Sequence, residues 1–129
     1  MTNITNIMEE ARTIAVVGMS NKPDRDSHEV GVYLSRFYKV IPVNPNHDEI
    51  AGMKCYPDLE SIPEPVDIVD VFQRSENVAP FVEPAIRIGA KCFWMQLGIQ
   101  SEEATRRLEG AGVFVVADRC TKIEHARLG

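Results

Sequence analysis

Gly18-Met19-Ser20-Asn21-Lys22 follows an apolar run, Thr13 to Val17, and leads to Arg25. Glycine permits a positive φ and a close backbone approach, and Ser20 offers a hydroxyl beside backbone amides. Lys22 and Arg25 add two cations. A pyrophosphate needs such donors converging on oxygens that share a negative charge. The loop therefore reads as a site for a phosphate-bearing ligand at the start of a helix. It is not an ordinary dinucleotide fingerprint, because the first, third and sixth positions hold Gly18, Ser20 and Pro23. Asp24 and Asp26 would repel a phosphate at the helix start itself, which places the phosphates nearer Ser20 and Lys22. The plainer alternative has Gly18 turn the chain and Lys22 stand in solvent.

Three more stretches could meet the same ligand. Asn44-Pro45-Asn46-His47 ends a second apolar run, where an NAD site usually sets a carboxylate for the ribose. The first carboxylate here is Asp48. A neutral amide and a His47 that can take a charge would tolerate a 3′-phosphorylated ribose better, although His47 alone equally reads as a loop histidine. Phe72-Gln73-Arg74 ends a third run. Phe72 or the Arg74 guanidinium could stack on an adenine, and Arg74 could reach phosphate; the alternative for Phe72 is a cap on the core. In Trp94-Met95-Gln96-Leu97-Gly98, strand alternation puts Trp94 and Gln96 on one face. Gln96 could then bond an amide-rich ligand arm.

No residue set reads as a catalytic machine. Cys120 has the cationic neighbours Arg119, Lys122 and His125, which favour a thiolate, but an inert thiol is the plainer reading. His28, His47 and His125 are too scattered for a metal site. Asp67 and Asp70 fall on opposite faces of their strand and receive no chemical role. The 3 cysteines, Cys55, Cys92 and Cys120, form no C-x-x-C pair, so neither zinc nor a disulfide framework is indicated. A net charge of -5 argues against a general affinity for nucleic acid or an anionic membrane. No apolar stretch approaches the ~20 residues of a membrane span, and the N-terminus lacks a signal-peptide pattern. A cytoplasmic location is expected, with free thiols.

The elements that must hold these residues alternate short apolar runs with amphipathic segments, the pattern of a parallel α/β sheet. At 129 residues the chain is expected to form one domain, residues 1–129. Asn3 to Arg12 is read as a leading helix, followed by a strand over residues 13–17. Val30, Tyr33, Leu34 and Phe37 share one helical face, with Asp26 as N-cap and Glu29 completing a capping-box pair. A second strand, residues 40–43, carries Pro42, which suits an edge or a loosened strand end. Residues 46–65 form a long connection with one helical turn near Asp58 to Ile62. The third strand is placed at residues 66–72, a helix at 78–88 stopped by Gly89, and the fourth strand at 92–95. Ser101 caps a helix that stops at Gly110, a fifth strand covers residues 113–116, and a partly helical tail follows from Asp118. Together these give a Rossmann-like, doubly wound parallel sheet of about five strands in a three-layer αβα arrangement, with the expected order 3-2-1-4-5. Ligands of such sheets bind beyond the carboxyl ends of the strands, which gathers all four stretches around one cleft.

With these residues in hand the chain resembles the small, single-domain CoA-binding proteins, which share their fold with the CoA-binding N-terminal domain of the succinyl-CoA synthetase α subunit. The resemblance runs from about Thr13 to Leu128. It rests on Ala15-Val16-Val17-Gly18-Met19-Ser20, Pro42-Val43-Asn44-Pro45, Trp94-Met95-Gln96-Leu97-Gly98 and Asp118-Arg119-Cys120 in order. It implies coenzyme A or an acyl-CoA as ligand, with Gly18, Ser20 and Lys22 lining the phosphates; Met19 and Arg25 are counted as binding residues of the same loop. It further implies Val43, Asn44 and Pro45 on the adenosine side, Phe72 and Arg74 flanking the nucleotide, and Gln96 toward the pantetheine arm. Relatives often carry lysine directly after the Asn-Pro pair, where this chain has Asn46 and then His47. The synthetase's phosphohistidine and ligase domain have no counterpart, so the resemblance supports a non-catalytic binding or regulatory module. The alternatives are an NAD(P)-type oxidoreductase, a subunit of a larger acyl-CoA-handling complex, and a Cys120 that forms a mixed disulfide with the CoA thiol. A homo-oligomer or a protein partner stays open.

Overall fold

Five apolar runs become five parallel strands because each can hide both of its faces under helices. A computed structural model of the chain describes residues 3–128. The elements are α1 (Ile4–Glu10), β1 (Thr13–Val17), α2 (Asp26–Leu34), β2 (Lys39–Val43), β3 (Glu49–Ile50), β4 (Met53–Lys54) and β5 (Ile68–Val71). They continue as α3 (Val82–Arg87), β6 (Cys92–Met95), α4 (Glu102–Gly110), β7 (Phe114–Val116) and α5 (Thr121–Ala126), with 3-10 turns at Leu59–Ser61, Ser75–Asn77 and Ala79–Phe81. Side-chain alternation along the sheet divides the core in two. Ala15, Val17, Val69, Val71, Phe93 and Met95 pack with Val82 and Ala85 of α3 and Ala104 and Leu108 of α4. Ile14, Val16, Val40, Ile68 and Trp94 pack with Met8 of α1 and Val30 and Leu34 of α2. The fold is the expected three-layer Rossmann-like α/β sheet.

The strand order differs from the expected one. The five-stranded sheet runs β2-β1-β5-β6-β7, so the third of its strands lies beside the first, not outside the second. The burial of β5 and the proline in β2 give the reason. All four residues of β5 are buried, including Asp70, and they pair with β1 on one side and β6 on the other. Pro42 fits the edge: its carbonyl accepts from the Tyr56 amide at 3.0 Å, so its missing N–H lies on the side away from β1. Tyr56 covers that edge further by accepting from the Asn44 amide at 2.9 Å.

Local differences have local causes. Arg25, not Asp26, occupies the N-cap of α2 and offers no capping side chain; Asp26 is the first helical residue, and Glu29 bonds elsewhere. The expected helix over 78–88 is broken into 3-10 turns followed by α3, because Pro80 and Pro84 lack amide donors and are tolerated only within first turns. The connection after β2 contains the β3–β4 hairpin, which turns on Ala51 at φ 53° and Gly52 at φ 78°. Gly52 suits such a turn, but an alanine at positive φ is uncommon and gave no signal. Asn3, Asp58 and Ser101 each accept a backbone N–H at the start of the helix or turn that follows.

Candidate functional site

The strand order reverses between β1 and β5, and the loops leaving their carboxyl ends meet there. Gly18, at φ 83°, lies so close that a Cβ would stand 2.6 Å from the Phe72 carbonyl oxygen and 2.7 Å from Gln73 Nε2. Glycine is therefore required for one loop to pack on the other. A cavity of about 1200 Å³ opens at this point, larger than the roughly 300–1,000 Å³ common for small-molecule sites.

Seven of the twelve residues singled out in the sequence line this cavity: Gly18, Ser20, Lys22, Arg25, Phe72, Arg74 and Gln96. The loop after β1 is held by its own hydrogen bonds. The Ser20 amide donates to Ser27 Oγ at 2.9 Å, and the Lys22 amide donates to Ser20 Oγ at 3.1 Å. His28 Nδ1 lies 2.9 Å from the Ser20 carbonyl, which can only accept, so this nitrogen carries the proton. Lys22, Arg25 and Arg74 are exposed and enter no ion pair among the described residues. Lys122 does: its Nζ lies 2.6 Å from Glu29 Oε1, joining α5 to α2 along the cavity wall. That pairing holds the Glu29 carboxyl below the usual range.

The other five residues lie elsewhere. Met19 is fully buried, its thioether filling the space left by Gly31 on α2. Val43 is a core residue at the end of β2. Asn44 stitches two loops together, donating from Nδ2 to the Met19 carbonyl at 3.1 Å and accepting the Asn46 amide at 2.9 Å. Pro45 is exposed and His47 half-buried on the loop beyond, and neither lines the cavity.

Gln96 reaches the cavity floor, but its side chain is committed inward. Its Nε2 donates to Asp70 Oδ1 and, at 2.8 Å, to Thr121 Oγ1, while Thr121 donates to Asp70 Oδ2 at 2.9 Å. Asp70 is fully buried. Burial pushes its carboxyl up to about 7, against the pull of the Gln96 and Thr121 hydrogen bonds. This closed triangle fixes the start of α5 to the sheet. Neighbouring bonds add to it: Trp94 Nε1 donates to the Arg119 carbonyl at 2.7 Å, and the Gly98 amide to Asp118 Oδ1 at 2.6 Å. Asp67, on the opposite face, accepts the Arg12 and Thr13 amides at 2.8 and 3.0 Å and pairs with Lys91. Cys120 is half-buried beside the cavity, whereas Cys55 and Cys92 are buried. Among the described residues no group of three or more His, Cys, Asp or Glu is placed to hold a metal.

Sequence reading passed over Ser27 and Thr121, gave Asp70 no role and took Lys122 only as a neighbour of Cys120. A lone carboxylate inside an apolar strand was the available signal for Asp70. Lys122 had none, because its partner lies 93 positions away.

Comparison with known proteins gives a consistent picture. The family model for the CoA binding domain matches residues 12–126. The uncharacterized protein YneT of Bacillus subtilis is 42% identical over 124 residues, which is 95% of this chain and 92% of that protein. A hypothetical protein from Pyrococcus horikoshii has a solved structure that superposes with a TM-score of 0.90 at 39% identity, covering 99% of this chain and 96% of that one. The dinucleotide forming acetyl-coenzyme A synthetase 1 of Ca. Korarchaeum cryptofilum, solved with phosphate and ADP, superposes with a TM-score of 0.75 at 26% identity. That match covers 89% of this chain but 28% of the synthetase.

Proposed function

This chain belongs to the family of CoA binding domains, and from that premise we propose that the cleft at the β1–β5 switch point binds coenzyme A as a module without catalytic groups of its own. The observation that carries the reading is the set of three cations, Lys22, Arg25 and Arg74, that line one cavity and enter no ion pair among the described residues. A polyanion needs local donors in a chain whose net charge is -5. Asp24 and Asp26 lie on the same wall, so the phosphates are assigned to Ser20, Lys22 and Arg74.

Phe72, half-buried on the cavity wall, is assigned to the nucleotide's flank. The adenosine end is assigned to Asn44 and Pro45, which the Asn44 bond to Met19 ties to the phosphate loop. His47, half-buried on the same loop, is assigned to the 3′-phosphate. Coenzyme A supplies a thiol that carries acyl groups as thioesters; the residues named here bind and orient, and none is assigned a chemical step. An NAD-type reading is disfavoured by Asn44, whose amide stands where a ribose-binding carboxylate would.

In the Korarchaeum synthetase the corresponding fold is a fraction of a longer chain. That favours a second reading, in which a partner supplies chemistry and this module presents the CoA. Calorimetry with CoA, dephospho-CoA, NAD and NADP tests the main proposal. CoA is expected to bind tightest, and tighter binding of NAD would overturn the assignment.

A further inference from the structure

The cleft divides by chemistry. Ser20, Lys22 and Arg74, the residues assigned to the phosphates, line it together with the carboxylates Asp24, Asp26 and Glu29, while Leu97, Ile99 and Ile123 contribute an apolar lip. Among the described residues the large hydrophobics left exposed are Phe37, Leu97 and Ile123, at 56%, 65% and 45%. Phe37 has aromatic neighbours, with ring centroids 4.3 Å from His125 and 5.4 Å from Tyr33. Leu97 and Ile123 are the remaining two, and both border the cavity. They come from segments knitted together at several points. Gln96 bonds Thr121, the Gly98 amide bonds Asp118, and the Asp118 amide donates to the Ile99 carbonyl at 3.1 Å.

A cleft that holds both phosphate-directed donors and an apolar lip suits an amphiphile, a polyanionic head with an apolar tail. The free CoA thiol ends a polar amide arm and would leave Leu97 and Ile123 in water. A thioester places a hydrocarbon there and removes both side chains from solvent. We propose that the cleft takes an acyl-CoA thioester in preference to free coenzyme A, with the acyl chain lying against Leu97 and Ile123. The proposal rests on the CoA reading given above.

Calorimetry on the full chain with CoA, acetyl-CoA and hexanoyl-CoA tests it, because these ligands share one nucleotide and differ only in the tail. Full burial of a methylene corresponds to about fourfold in affinity. With partial burial, hexanoyl-CoA is expected to bind at least tenfold tighter than CoA, with acetyl-CoA between them. Leu97→Ser combined with Ile123→Ser should collapse the ratio of hexanoyl-CoA to CoA affinity toward one; the ratio is the readout. Lys22→Ala should weaken both ligands together and leave the ratio high. Equal affinity along the series overturns the acyl preference, leaves the CoA reading standing and points to a protein partner for the lip. A ratio that survives the double substitution overturns the assignment to Leu97 and Ile123. Failure of every CoA ligand to bind overturns the underlying reading as well.

Discussion

Asp70 carries a carboxyl into the fully buried interior, and its energetics can be read from that position. Its pKa moves from 3.8 to about 7 on folding, so the folded state holds the proton more tightly than the unfolded chain. Its favourable contribution is complete below about pH 4 and is lost as pH rises through 7, by about 4 kcal/mol at most. His125 slopes the other way, since burial lowers its pKa. The readout is therefore the difference between wild type and Asp70→Asn. Urea midpoints measured from pH 5 to 8 should fall for wild type relative to the variant, and a parallel pair of curves would remove Asp70 as the cause. At the cleft, Lys22→Ala is expected to cost roughly 1–3 kcal/mol of CoA affinity if the ammonium meets a phosphate. Calorimetry checks this, and an unchanged Kd moves the phosphates elsewhere. The position of Lys22 on the cleft was legible because it follows the glycine turn that ends β1. Gln96 was legible as a polar residue on the Trp94 face, but its partners, Asp70 and Thr121, lie 26 and 25 positions away and left no local trace.

Among the elements, the loop after β1 depends most on a single residue. Gly18→Ala adds a Cβ that meets the Phe72 carbonyl at 2.6 Å in a backbone with φ 83°. The expected loss is about 1–3 kcal/mol of stability together with weakened CoA binding, read by denaturant midpoint and calorimetry. An alanine variant as stable as wild type would show that the two loops can separate without cost. Most elements were legible in the sequence because their signals are local. The β1 run, the Ser101 cap and the Asp58 turn each follow from the residues within them. The α2 cap was misplaced because an aspartate near a helix start fits both cap and first turn, and tertiary contacts chose the latter. The β3–β4 hairpin was missed because Ala51 adopts a positive φ that its side chain does not advertise.

For the molecule as a whole, a ligand that bridges β1, β5 and α2 should stabilise all of them together. CoA at a hundred times its Kd is expected to add about 2.7 kcal/mol, raising Tm by roughly 5–10 °C in a thermal-shift assay. NAD at the same concentration should give a smaller shift, and a larger one would reverse the ligand assignment. The sequence by itself determined the alternation of strands and helices, the layering of the core and the gathering of Gly18, Ser20, Lys22 and Arg25 on one loop, because each depends on periodicity or on neighbours a few positions apart. Tertiary structure alone decided that β5 lies beside β1, that Met19 turns into the core, and that Asp70, Gln96 and Thr121 close on one another beneath the cleft. Those outcomes depend on which strands share an edge and which side chains share a buried volume, quantities set by packing the whole chain at once.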